Sequence, residues 1–179
     1  TPDSFYDGNK NNSLKYFINK FSLIKNADII DIGAESSRPG SKSIEAELEI
    51  ERLKFLSNLD LNGKYLSIDS YKLKVIRYCL EKQFNMINDI SGGGINYENI
   101  EIAKDYNVPI CIMHMQGNPL NMQLSPKYDN LIDNLYDFFS DRINYCNKIG
   151  YNLNNLIIDP AIGFGKSKED NFRIISNIC

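Results

Sequence analysis

Two features of this 179-residue chain predict an α/β fold with a parallel sheet. Short apolar runs alternate with segments of helical periodicity, and run after run finishes in a polar side chain. Strands buried beneath helices read as continuous apolar stretches, which is what parallel sheets require. Two architectures then compete, a closed eight-stranded barrel and an open doubly wound sheet. In a barrel all strand ends converge on one mouth, whereas an open sheet brings only the strands beside its switch point to a ligand. Glu35 after IIDIGA, Asp69 in LSID, Asn88 and Asp89 in MIND, His114 in ICIMH and Asp159 in LIID occupy five successive ends. The expected fold is therefore an incomplete (β/α)8 TIM barrel.

The elements follow in order. After the turn-rich opening TPDSFYDGNKNN, Leu14, Phe17, Ile18, Phe21 and Ile24 recur at helical spacing, with Ser13 as N-cap. A strand is expected near Asp28 to Gly33, then a helix carrying Ile44, Leu48, Phe55, Leu56 and Leu59. YLSIDSY is the next strand, followed by a helix with Val75, Ile76, Cys79 and Leu80. MINDISGG precedes a weaker helix around Ile100 and Ala103, and PICIMH forms another strand. The longest helix has the cleanest face, Leu131, Leu135, Phe138, Phe139, Ile143, Cys146 and Ile149, closed by Gly150 as a left-handed cap. LIIDP is the last strand, and Ser167 with Asp170 opens a final helix in a box-like pattern. No linker, low-complexity segment or letter-level repeat interrupts the order, so residues 1–179 read as one domain.

Composition narrows the function. A net charge of −3, with lysines and arginines scattered, argues against nucleic acid as a partner. No apolar run approaches the ~18 residues that span a bilayer, so no membrane role is expected. Cys79, Cys111, Cys146 and Cys179 are widely spaced, and His114 is the one histidine. A zinc cluster is thus not expected, and free thiols fit a reducing, cytoplasmic setting.

Each polar strand end has a bland reading beside the functional one. Asp69, Asn88 or Asp159 taken singly is as suited to a cap or turn as to a ligand. Each, however, closes an apolar run, where an unpartnered carboxylate is costly to bury, and the pattern repeats. His114 reads as structural, and Gly92-Gly93-Gly94 as a tight turn at a strand end. GFGKS lacks the glycine a phosphate loop needs, because Pro160 stands five positions before Gly165. No G-x-G-x-x-G follows the first strand, which removes a dinucleotide site. Arg38 lies between hydroxyls and Pro39-Gly40, where a guanidinium has little to pack against and is suited to bidentate capture of phosphate oxygens. A solvated surface arginine is the alternative there.

Six motifs in register, TPDSF-x-DG, DIG-x-ESSRPG, SIDS, NDISG, MH-x-x-GNP-x-x-MQ and DP-x-IGFGK, resemble dihydropteroate synthase over nearly the whole chain. The resemblance implies a transferase of folate biosynthesis, the sulfonamide target. Its reaction condenses 6-hydroxymethyl-7,8-dihydropterin diphosphate with p-aminobenzoate and releases pyrophosphate. It implies that Asp69, Asn88 and Asp159 bind the pterin, with Met113 and Phe164 walling its ring. It also implies that Arg38 takes the diphosphate, that Phe5, Ser37 and Pro39 border the aminobenzoate channel, and that Arg38 and Asp69 are the catalytic pair. Mg2+ is the implied cofactor, with its family asparagine ligand preceding Thr1, and a homodimer is implied for the whole protein.

By this resemblance the chain holds about strands 2–6 with their helices plus the loop after strand 1, truncated at both ends, and the segment alone is expected to be inactive. Ala34 and Ala161 stand where the family has glycine. Two alternatives stay open: the pterin-binding barrel of corrinoid-dependent methyltransferases, and a non-catalytic pterin-binding remnant. The ESSRPG loop weighs against the first, since methyl transfer has no pyrophosphate to hold.

Overall fold

The computed structural model describes residues 26–54, 56 and 63–178. The expected first helix, Phe5, Phe55 and Leu59 lie outside the described residues. The rest follows the expected alternation: β1 (Ile29–Gly33), α1 (Ala46–Leu53), β2 (Tyr65–Asp69), α2 (Leu73–Leu80), β3 (Met86–Asp89), α3 (Glu98–Asp105), β4 (Ile110–Met113), α4 (Leu131–Ile149), β5 (Leu156–Asp159) and α5 (Lys168–Ile175). The strands form one parallel sheet in the order β1-β2-β3-β4-β5. A sequential order has no switch point, which separates an arc of a barrel from a doubly wound sheet.

Strand parity divides the sheet into two unlike faces. Ile30, Leu66, Ile68, Ile87, Ile110 and Ile112 point outward and are buried beneath the helices, against Leu53, Val75, Ile76, Cys79, Ile100, Ala103, Leu131 and Phe139. Isoleucine suits both demands there, since its branched side chain favours extended backbone and fills the space under a helix. The opposite parity, Asp31, Gly33, Ser67, Asp69, Met86, Asn88, Cys111, Met113, Ile157 and Asp159, lines the concave face of the arc.

The helix ends are built as the letters suggest. Gly150 adopts φ 76° and donates to the carbonyls of Cys146 and Asn147. Ser167 and Asp170 exchange both bonds of a capping box. α1 departs from expectation. It begins after Ile44, and Leu48 is 46% exposed while Glu49 is fully buried in its place. The cause is a cation from the next unit: Lys72 Nζ lies 2.8 Å from Glu49 Oε2, which lets a carboxylate occupy an inward position. Among the described residues no helix is long and apolar enough to cross a membrane.

Candidate functional site

Parallel register carries the polar groups to one rim. Gly33, Asp69, Asn88 and Cys111 are successive partners across β1 to β4, and Asp159 sits beside Met113 on the same face. With strands ~4.8 Å apart, the Asp69 and Asn88 side chains are immediate neighbours. Gly33 makes room for this row, because a Cβ there would come within 3.0 Å of Asp69 Oδ2. Asn88 Nδ2 donates to Asp31 Oδ2 at 2.9 Å, which orients the carboxamide from below. Burial, followed by the charges of Asp31, Glu49, Glu35 and Asp89, pushes the Asp69 carboxyl up to about 7. Near neutrality this acid exchanges its proton readily, and a ligand presenting N–H donors would draw it to the carboxylate.

The cap reading fails for the first two residues. The N-caps of α2, α3 and α5 are Lys72, Tyr97 and Ser167, so neither Asp69 nor Asn88 serves a helix. Asp159 does serve a turn. Its Oδ1 accepts from Ala161 N at 2.7 Å, a local turn bond. Ala161 holds φ 58°, a left-handed conformation that strains an L side chain and that glycine adopts freely. Asp89 belongs to the scaffold. It points to the outer face, fully buried, and accepts from Ser91 N, Ser91 Oγ, Gly93 N and Asn99 Nδ2. With Gly92 N donating to Asp89 O at 3.4 Å and Gly94 N to Ser91 Oγ at 3.1 Å, all three glycine amides of the expected turn are spent on the protein itself.

Beside the rim lies a separate apolar cluster. Ile90, Met113 and Ala161 are buried together, with Tyr71, Met115 and Phe164 packed against them. Met113 and Phe164 therefore share one wall next to Asp159, as a flat ring would require. Beneath it, buried Lys166 donates to His114 Nδ1 at 3.2 Å and to the carbonyls of His114 and Phe164, each at 3.0 Å. Burial and the Lys166 charge hold the His114 imidazole down at about 4, so it stays neutral and accepts that bond. Burial likewise lowers Lys166 to about 8, opposed by Asp159 and Asp170. His114 is structural, as its sequence context suggests.

The loop after β1 closes the other side. A small cleft is lined by Glu35, Ser37, Glu49, Asp69, Ser70, Tyr71 and Ile90, so Ser37 and Asp69 face one space. Arg38 and Pro39 are exposed above it. Among the described residues the Arg38 side chain forms no hydrogen bond or ion pair. The loop is tied across the rim by Gly40 N to Pro119 O at 2.8 Å. Among the described residues no group of three or more His, Cys, Asp or Glu side chains could hold a metal ion, and the asparagine ligand that the resemblance implies for Mg2+ would precede Thr1. Sequence reading overlooked Asp31 and Lys166. Asp31 had a signal: it lies two residues before Gly33 and so shares the face of the polar ends. Lys166 stood inside the GFGK motif, but its partner His114 is 52 positions away, so its role could not be read from the letters.

Comparison with known proteins places this arrangement. Residues 1–179 match the family model for pterin binding enzymes. The dihydropteroate synthase of Escherichia coli K12 is 35% identical over 188 residues, covering 100% of this chain and 64% of that protein. The Yersinia pestis dihydropteroate synthase, solved as a sulfonamide drug complex, superposes with a TM-score of 0.86 at 35% identity, covering 99% of this chain and 66% of that one. The Xanthomonas albilineans enzyme with 4-aminobenzoic acid gives 0.81 at 29% identity, covering 99% and 64%. The chain spans about two thirds of the length of these relatives.

Proposed function

The chain belongs to the pterin-binding enzyme family, and from that premise we propose that it is the central barrel segment of a dihydropteroate synthase. The observation that carries this reading is the shared cleft of Ser37 and Asp69. It joins the end of the sheet that suits a pterin to the loop that suits an anion.

The pterin's guanidine-like edge presents N–H donors, and Asp69, Asn88 and Asp159 supply acceptors on one face while Met113 and Phe164 wall the ring. Reading by buried polar groups discriminates strongly against ligands that lack the donors. The bond between the pterin methylene carbon and the diphosphate oxygen breaks, and its electron pair leaves with pyrophosphate. The arylamine lone pair of p-aminobenzoate then forms the new C–N bond, and the amine proton passes to solvent. Arg38, exposed and without a side-chain bond among the described residues, stabilises the negative charge growing on the leaving group. No side-chain nucleophile is needed, and no step is routed through Mg2+, whose ligands would lie outside the described residues. A homodimeric whole protein and a cytosolic setting belong to the same reading. The free thiols Cys79, Cys111 and Cys146 support the latter.

The test is pyrophosphate release by the complete encoded protein with both substrates. Arg38→Ala is expected to slow turnover far more than it weakens binding of a pterin lacking the diphosphate. Equal losses in both would refute the role. A remnant reading draws support from the strained Ala161, and pterin binding without product would favour it. Methyl transfer from a reduced folate, with no pyrophosphate released, would favour the corrinoid-dependent alternative.

A further inference from the structure

We propose that Lys72 is a positioning residue for the Ser37-Arg38-Pro39 segment, a buried latch that holds the base of that loop through Glu35. The proposal rests on the reading of that loop as the anion site.

Lys72 Nζ lies 2.5 Å from Glu35 Oε2 and 2.8 Å from Glu49 Oε2. The three side chains are only 16%, 9% and 1% exposed, so solvent screens them little. Burial alone would lower the lysine's pKa, yet its bonds to both carboxylates outweigh this and raise it, so the charge persists. The oxygen that Lys72 grips does a second task. Glu35 Oε2 also accepts from Ile44 N at 2.7 Å and from Ser43 Oγ at 3.1 Å. One carboxylate oxygen thus gathers both ends of residues 36–43 at a single point.

Within that span the bonds are mostly the loop's own, Ser41 N and Oγ to Arg38 O at 3.0 and 2.7 Å. The outward tether from its backbone is Gly40 N to Pro119 O. The Arg38 guanidinium therefore inherits its position from moorings that include the Lys72–Glu35 contact, the Pro119 contact and the 2.9 Å hydrogen bond between Ser43 Oγ and the Tyr71 hydroxyl. Without the ammonium, Glu35 would face Glu49 across a water-poor gap, and Glu49 Oε1 already lacks a hydrogen-bond partner. Repulsion would then drive out the partner free to move, which is Glu35 together with the loop it closes.

A competing role is a strut between α1 and α2 through Glu49 alone. The experiment uses the complete protein with Lys72→Met, Glu35→Gln and Lys72→Arg, read by steady-state kinetics, binding of a pterin lacking the diphosphate, and amide hydrogen exchange. Misplaced groups are expected to lower kcat by about tenfold or more in Lys72→Met and Glu35→Gln, with pterin affinity within about threefold. Exchange should quicken in residues 36–44 and not in β2 to β4, and Lys72→Arg should restore most of the turnover. A folded Lys72→Met protein with unchanged kcat, parallel losses of kcat and pterin affinity, or unaltered exchange over 36–44 overturns the proposal. Should Lys72→Met fail to fold, Glu35→Gln decides, because it keeps the Lys72–Glu49 pair. If the parent protein releases no pyrophosphate, the synthase reading falls, and exchange over residues 36–44 still decides the latch.

Discussion

Asp69 and Asp89 end neighbouring strands, yet the fold gives them opposite tasks. Asp89 turns outward beneath α3, where four donors converge on it and knit the SGGG turn to the sheet. Asp69 turns inward, where among the described residues no donor meets it and neighbouring carboxylates oppose its charge. Burial raises the pKa of both. The protein has satisfied one acid and left the other waiting. An acid whose acceptors are all used stabilises the fold, and one with acceptors unspent is available to a ligand.

The contrast is open to experiment. The largest effect is expected from Asp89→Ala, which strands four donors, of which Gly93 N and Asn99 Nδ2 are buried, and should cost about 3 kcal/mol of folding stability in urea titration. Pterin affinity measured on the folded fraction should change little. Asp69→Asn is the mirror case. It should weaken pterin binding by about 100-fold, near 2.7 kcal/mol, in calorimetry while leaving the protein folded. Comparable stability losses in both variants would break the comparison.

A pH titration sharpens it. The folded Asp69 keeps its proton up to about 7 against an ordinary value of 3.8, so between these limits the folded state binds more protons than the unfolded one. Its contribution to stability is complete below pH 3.8 and is lost as pH rises through 7, at up to about 1.4 kcal/mol per pH unit. Subtracting the Asp69→Asn stability curve from the parent's should isolate that slope, and a flat difference would contradict it. The smallest effect concerns the third acid. Ala161→Gly relieves the left-handed strain beside Asp159 and should raise stability by about 0.5–1 kcal/mol in thermal unfolding, with Asp159's turn bond kept.

Much of the scaffold was legible because local periodicity encodes it. The long α4 face, the Gly150 cap and the Ser167–Asp170 box all appear where the letters place them. α1 misleads for a physical reason: hydrophobic patterning assigns Leu48 to the core, and a lysine 23 residues beyond Glu49 exchanges their places. The candidate site was legible as a set of strand ends, since alternation predicts which residues share a face once the strands are parallel. Register was needed to bring Asp31 under Asn88, 57 positions apart, and Lys166 against His114, 52 positions apart.

By itself, the sequence determined which of the described segments are the five strands and the helices that follow them, that the strands end in polar groups, and that the set resembles one family. Those properties follow from side-chain shape and spacing within a few residues. Only the tertiary structure decided that, among the described residues, no donor meets Asp69 while Asp89 is saturated, and that Lys72 joins the loop after β1 to α1 and α2. These assignments depend on charges and donors brought together by strand register, where burial strips away water and makes each pairing count.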